Sequence, residues 1–478
     1  MKSLSSRSRR VTHNTFLLFV TESAAMLFSW VAVGYLTRHW VGVGTYGQYA
    51  LIVNWVAIFA TFSDLGLNAL TIREVAYRKQ TANFYLRNVM ALRLFFSVLF
   101  MTALFAIGFS LHYEPILRLG LLVMGMRLVM DCASGGYVYL LQANERMGVH
   151  GSIVLAASVL RCAGIVGVVQ AGGGIVEACA VWTLVSAATL VVLAVLGAKQ
   201  KWVPNFKGWK LSETIGILKK AFPLATFSSL LVLYYRVDAV ILKSLSGNEA
   251  VGFYDAANKV LGAVLLLSQR FGLSILPVFS SLQGNKDLFG RVALRAIKAM
   301  VMLGVPLTVG GILLSQRLLI LLFGSQYGFS GELFAILALS IIPLFFSVLT
   351  VDILIVKKPK LLNVLFGVLF VLNAVFNFIL IPILGAMGAA WATVTCEIIG
   401  LFWGLKLIWP YLKTRQGVPV LKPLLACLAA STLMGALIFL DPRLYWLVLG
   451  PVVYGIGLYL FGGLGEEDWM SLRSILKV

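Results

Sequence analysis

Long apolar stretches of about twenty residues recur from Thr15 to Gly463, and a short polar turn closes each of them. A helix needs ~20 apolar residues to cross the hydrocarbon core of a bilayer, so this pattern predicts a membrane protein. The stretches lack the period-two polarity of barrel strands, which leaves helices as the spanning structure. We predict fourteen spans, at about 15–37, 46–63, 85–108, 116–141, 149–170, 175–197, 221–245, 253–282, 297–322, 333–356, 361–384, 387–410, 421–440 and 444–463.

The basic residues predict the orientation of these spans. The chain has 39 Lys and Arg against 19 Asp and Glu, a net charge of +20. Most of the basic residues fall in the loops and ends that share a side with the N-terminus, and few fall in the opposite loops. By the positive-inside rule both termini are cytoplasmic. The charge is therefore a topology signal, and we do not expect nucleic-acid binding.

Short motifs repeat in the same order in the two halves of the chain. Gly47-Gln48-Tyr49 recurs as Gly252-Phe253-Tyr254, and three other matches follow at a nearly constant offset. This predicts two six-helix lobes related by a pseudo-two-fold axis along the membrane normal, with two more helices at the C-terminal end. The predicted divisions are an N-terminal lobe at 1–198, a cytoplasmic linker at 199–220, a C-terminal lobe at 221–415, and helices 13 and 14 with a cytoplasmic tail at 416–478. The basic, tryptophan-containing linker is typical of a segment that lies on an anionic leaflet.

Six motifs occur in order at 42–49, 64–67, 234–238, 252–257, 323–327 and 373–393. Together they resemble the motifs of bacterial polysaccharide flippases of the Wzx type, within the superfamily of multidrug, oligosaccharidyl-lipid and polysaccharide exporters. Their order and spacing extend over nearly the whole chain. The resemblance implies two six-helix lobes, a central V-shaped cavity and alternating access between the two faces of the membrane.

Several basic residues lie within the predicted spans. A charge at the bilayer centre costs ~3 kcal/mol or more, so each is a functional candidate. Guanidinium is always charged and binds phosphate in a bidentate manner, which suits a diphosphate-linked sugar. The predicted substrate-binding residues are Arg93, Arg127, Arg161, Arg236, Lys259 and Arg270.

Acidic residues within the spans are candidates for coupling transport to an ion gradient. They are Glu22, Asp131 and Asp238. Glu22 has no basic residue within one helical turn, so its partner is water, an ion, a proton or another helix. Asp131 is four residues from Arg127, and Asp255 is four from Lys259, a spacing that brings side chains together on one helix face. A structural ion pair and a functional role therefore both remain open for these pairs.

The leading hypothesis is a flippase that moves a polyprenyl-diphosphate-linked oligosaccharide from the cytoplasmic to the outer leaflet of a bacterial inner membrane. Membrane lipids surround it, and a polysaccharide polymerase and glycosyltransferases are candidate partners. The alternatives are a cation-coupled multidrug exporter of the same superfamily, or a polytopic glycan polymerase or ligase. The sequence shows no catalytic constellation, no metal-ligand cluster and no cofactor motif, so we expect a transporter rather than an enzyme. The five cysteines lie in spans at no metal spacing and are expected to be packing residues.

Overall fold

The computed structural model describes residues 2–40, 42–414, 421–441 and 443–463. Within these ranges the chain is helical throughout, without a β-strand. The α-helices are α1 (Lys2–His39), α2 (Val43–Asp64), α3 (Leu67–Tyr77), α4 (Ala82–Ser110), α5 (Pro115–Ala143), α6 (Met147–Gln170), α7 (Ile175–Lys199), α8 (Leu211–Ser281), α9 (Lys286–Phe323), α10 (Gly328–Ala338), α11 (Ile341–Lys357), α12 (Lys360–Leu384), α13 (Ala386–Ile408), α14 (Leu421–Leu440) and α15 (Trp446–Leu460). The predicted all-α membrane class is confirmed.

Helix length and composition indicate how many helices could cross a membrane. Nine helices within the described residues are long and apolar enough to cross a membrane, and α10 and α11, bent by 50°, together make a tenth. One of the nine is the 57-residue run Ala225–Ser281, which is long enough for two crossings of ~20 residues. Every predicted span has a helical counterpart, but the count of fourteen stays a prediction.

Helix α8 contains a break that its length alone does not show. At Gly247 the backbone has φ 84° and ψ −174°, outside the helical region, between helical residues on both sides. Only glycine adopts this region without strain. The break lies in the loop that the hydropathy pattern places between the seventh and eighth predicted spans.

The described chain forms two compact units, Met1–Lys243 and Ser244–Val478. In the first unit α5 is the central helix, since α2, α3, α4 and α7 all pack against it, while α1 packs against α6. Small residues of α5 allow these helices to pack closely against it. A Cβ atom added at Gly125 of α5 would lie 2.7 Å from the Met101 side chain of α4. In membranes such close packing between helices replaces the hydrophobic effect as a source of stability.

The linker 199–220 is attached to the start of α4 by polar contacts. Arg87 forms an ion pair with Glu213 at 3.0 Å. The side chain of Asn83 donates to the Lys201 carbonyl at 3.1 Å, and the Thr214 hydroxyl donates to Asn88 Oδ1 at 2.5 Å. The linker is therefore held against the first unit, and its placement on the anionic leaflet stays a prediction.

In the second unit α9 packs against α10, α11 and α14, while α12 pairs with α13 and α14 with α15. Helices α8, α9, α10, α14 and α15 enclose a cavity of about 300 Å³. Its lining is apolar and includes Leu267, Leu303, Phe334, Met434 and Trp446. A cavity of this composition offers no cationic group for a phosphate.

Candidate functional site

Two of the predicted arginines meet at one tryptophan in the first unit. Arg127 lies on α5, Arg161 on α6 and Trp182 on α7. The guanidinium carbon of Arg127 is 4.3 Å from the centre of the Trp182 ring, and that of Arg161 is 4.6 Å from it. Together with Asp131 and Tyr49, these residues are called here the arginine–tryptophan cluster. Each cation–π contact contributes about 0.5–2 kcal/mol, depending on how much water is excluded.

The local packing of α6 and α7 positions this cluster. Gly164, three residues after Arg161, faces Val181, the residue before Trp182. A Cβ atom at position 164 would lie 2.6 Å from the Val181 side chain, so glycine allows the two helices to approach here. The indole itself is fixed from α2, because Trp182 Nε1 donates to the Tyr49 hydroxyl at 2.7 Å.

The charges of the cluster do not balance. The Asp131 carboxylate is 3.1 Å from Nε of Arg127, the i,i+4 pair that the spacing predicts. Arg161 donates from Nε to the Ala157 carbonyl of its own helix at 3.1 Å. Its terminal nitrogens have no hydrogen-bond acceptor among the described residues. Its guanidinium is near enough to that of Arg127 for repulsion and to the Asp131 carboxylate for attraction. The arrangement has two positive charges and one negative charge, so an added anion would be stabilised there.

Arg93 has a different environment, because neighbouring side chains of the first unit contact its guanidinium group. It is buried, pairs with Asp64 at 3.6 Å, and donates to the Tyr139 hydroxyl, which in turn donates to Asp64. Its second terminal nitrogen faces the Cys132 sulfur at 3.7 Å. These contacts stabilise the charge without a ligand. The prediction that Arg93 binds substrate is untested, and such binding would compete with this network.

Arg236, on the N-terminal part of α8, is exposed and donates to the Asn54 Oδ1 atom of α2 at 2.7 Å. The Asn54 amide nitrogen donates to the Ala50 carbonyl at 2.9 Å, which directs the amide oxygen towards the guanidinium. Asp238, two residues further on, is buried. As the spacing implies, Arg236 and Asp238 do not pair with each other on the helix.

Glu22 on α1 lies near His150 on α6, close enough for an electrostatic interaction. A Cβ atom at Gly151 would collide with the Thr21 hydroxyl, which shows how closely α1 and α6 approach at this level. The sequence leaves the partner of Glu22 open, since His150 is far away along the chain. The helix pairing places a titratable group beside it.

In the second unit, Lys259 is paired with Asp255 at 2.6 Å, as the i,i+4 spacing predicts. Asp255 is buried, and Arg270 is partly buried and interacts with its own neighbours. The predicted candidates are thus distributed between the two units. Arg127, Asp131 and Arg161 are brought into one cluster.

Sequence reasoning did not identify Trp182 or Asn54, which hold candidate arginines in place, and it singled out Tyr49 only as part of a repeated motif. Aromatic and amide side chains are common in membrane helices, so nothing in the local pattern distinguishes Trp182 and Asn54. Among the described residues, no group of three or more His, Cys, Asp or Glu could hold a metal ion. The five cysteines are free and buried.

Comparisons with known proteins agree with the motif resemblance. A sequence model described as a polysaccharide biosynthesis protein matches residues 11–283. A putative O-antigen transporter of Shigella dysenteriae is 22% identical over 411 residues, which cover 83% of this chain and 99% of the transporter. The lipid II flippase MurJ in an inward closed conformation has the same fold, with a TM-score of 0.78, 13% identity, and coverage of 95% of this chain and 100% of that chain. An inward-facing multidrug resistance MATE transporter of the MOP superfamily has a TM-score of 0.64, 15% identity, and coverage of 84% and 100%.

Proposed function

Because the chain belongs to the polysaccharide biosynthesis protein family, we propose that it is a flippase for a polyprenyl-diphosphate-linked oligosaccharide. It moves the headgroup from the cytoplasmic to the outer leaflet by alternating access, while the lipid tail stays in the bilayer. The named relatives support this proposal, since one is a putative O-antigen transporter and one a lipid II flippase.

The observation that carries the proposal is the arginine–tryptophan cluster. Two guanidinium groups contact one indole, and a single carboxylate balances only one of them. A diphosphate supplies several acceptor oxygens and negative charge, which match the planar donors of arginine. Every glycan linked through diphosphate presents these oxygens, whatever its sugars. The cluster therefore recognises the part of the substrate that does not vary.

The cation-coupled multidrug exporter is the second candidate function, favoured by the fold shared with the MATE transporter. A cationic drug would be repelled by a cluster that has one net positive charge. The charge of the cluster thus favours the anionic substrate. The relatives are transporters, which disfavours the glycan polymerase or ligase.

The rest of the proposal concerns the cellular setting. The flippase lies in the bacterial cytoplasmic membrane with both termini in the cytoplasm, and its two lobes are divided by the linker 199–220. A polymerase and glycosyltransferases act on the same glycan before and after transport. The distribution of basic residues and the names of the relatives support this setting.

Substitution of Arg161 tests the function. We expect Arg161→Gln to reduce flipping of a lipid-linked glycan in proteoliposomes by about tenfold or more, because a hydrogen bond to a charged group contributes about 1.5–3 kcal/mol. Arg161→Lys should restore only part of the rate, since an ammonium group cannot reproduce the planar donors.

Arg118→Gln is the matched control, because Arg118 also stacks on an aromatic ring, that of Phe109 at 4.6 Å, but lies outside the cluster. It should transport at the wild-type rate. Equal protein levels in the membrane exclude a folding defect. If Arg161→Gln flips the glycan at the wild-type rate, the cluster has no part in the mechanism. If the unmodified protein exports cationic dyes but flips no glycan, the multidrug exporter is favoured.

A further inference from the structure

Asp352 on α11 is a buried carboxyl group that the cluster and the predicted coupling residues do not include. It is 8% exposed, and its Oδ2 atom is fully shielded without a hydrogen-bond partner in the described structure. Buried polar atoms without a partner are rare and call for an explanation. It lies five residues before the end of α11 and is not the capping residue of that helix.

The backbone of α8 covers this carboxyl group. A Cβ atom at Gly272 would lie 2.7 Å from Asp352 Oδ2 and 2.7 Å from the Val348 side chain. The ends of the same two helices are tied together, since Gln283 Nε2 donates to the Val356 carbonyl at 2.7 Å and Lys357 Nζ donates to the Gln283 carbonyl at 3.0 Å. Glycine at position 272 thus allows the helix to close over the acid.

No charged side chain in the described part of the chain compensates Asp352. Helices α9, α12 and α13 also pack against α11. Within the described parts of these helices, of α8 and of α11 itself, no charged side chain interacts with Asp352, including Arg270, Lys298, Lys357, Lys360, Glu397 and Lys406. Among the described residues, Asp352 belongs to no group of three or more His, Cys, Asp or Glu side chains that could hold a metal ion. A proton needs only the one carboxylate.

We propose that Asp352 is a proton-binding site of the second unit, loaded while α8 and α11 are in contact and emptied when they separate and water enters. An unpaired carboxylate is costly in a dry environment, so the neutral acid is the form that the closed contact accommodates. Proton binding then favours the closed contact, because a ligand shifts an equilibrium towards the state that binds it better. Coupling of this proton to flipping rests on the proposed function; the site itself does not.

Infrared spectroscopy of the purified protein tests the site without any substrate. At neutral pH the carbonyl stretch of a protonated carboxyl group should be lost in Asp352→Asn, and Gly272→Ala should shift the same band by pressing on Oδ2. Asp441→Asn is the control, since Asp441 is partly exposed and paired with Arg443 at 3.1 Å, and it should lose a carboxylate band instead. Loss of a carboxylate band in Asp352→Asn overturns the proposal. If Asp352→Asn does not fold, the Gly272→Ala variant decides the question, and an unshifted carboxyl band in its spectrum overturns the proposal.

Transport in proteoliposomes with an imposed pH gradient tests the coupling. Wild-type flipping should respond to the gradient, whereas Asp352→Asn should keep the gradient-free rate in both conditions. An unchanged gradient response in Asp352→Asn overturns the coupling. A wild-type protein that flips no lipid-linked glycan contradicts the proposed function instead, and the infrared result then still decides whether Asp352 holds a proton.

Discussion

Arg93 shows how a charge inside a membrane helix is stabilised by residues far away along the chain. Its partners Asp64, Cys132 and Tyr139 lie on α2 and α5, while Arg93 lies on α4. Residue spacing could predict the pairs Arg127 with Asp131 and Asp255 with Lys259, because both are four residues apart on one helix. Contacts between helices have no such rule, so the Arg93 network could not be predicted.

Gly135 tests the Arg93 network. A Cβ atom at this position would collide with the guanidinium of Arg93. We expect Gly135→Ala to lower the free energy of unfolding by about 1–3 kcal/mol, the usual cost of overpacking. Gly216→Ala is the control, since nothing lies within 4 Å of its Cβ position and alanine favours the helix. Thermal unfolding in detergent measures both, and equal stability of the two variants would contradict the network.

At the scale of the element, hydropathy predicted where helices occur but not where they break or bend. It placed a loop near residues 246–252, where the structure has a helical run with one non-helical residue. The bend between α10 and α11 was likewise hidden inside a single predicted span at 333–356. Hydropathy is averaged over about twenty residues, so single backbone angles do not affect it.

Gly247 provides the test of the break in α8. Its φ of 84° and ψ of −174° lie in a region essentially restricted to glycine, so we expect Gly247→Ala to destabilise the protein by about 1–3 kcal/mol. Gly262→Ala, in a regular part of the same helix with open space around it, should be neutral or stabilising. Unfolding by heat or denaturant compares the two, and a neutral Gly247→Ala would mean that the break is not strained.

At the scale of the whole molecule, composition and charge were the most informative signals. Apolar runs predicted the helical membrane class, and the ordered motifs predicted the family that the sequence match confirms. Helix α5 is a predicted span that is not among the nine described helices apolar enough to cross a membrane, because its sequence contains Arg118, Arg127 and Asp131. Charges of this kind lower the mean hydropathy of a helix that packs at the centre of its unit.

The orientation of the chain gives a prediction for the complete topology. Reporter proteins fused after individual loop residues should read cytoplasmic at one set of positions and external at another, because basic loops are retained in the cytoplasm. The cytoplasmic positions are Lys79, Lys210 and Lys360, and the external positions are Gly172, Asn248 and Asp441. An external reading at Lys210 would contradict both the predicted span count and the two-lobe duplication.

The burial of all five cysteines makes the wild-type chain suited to chemical labelling. Cys132, Cys179, Cys396 and Cys427 have no measurable exposed surface, and Cys162 has 8%. Maleimides are attacked by exposed thiolates, so they should react slowly with the native protein. A single cysteine introduced at a loop position would then be labelled much faster than the native cysteines. Conformational states could be followed by distance measurements between two such labels, without first replacing any native cysteine.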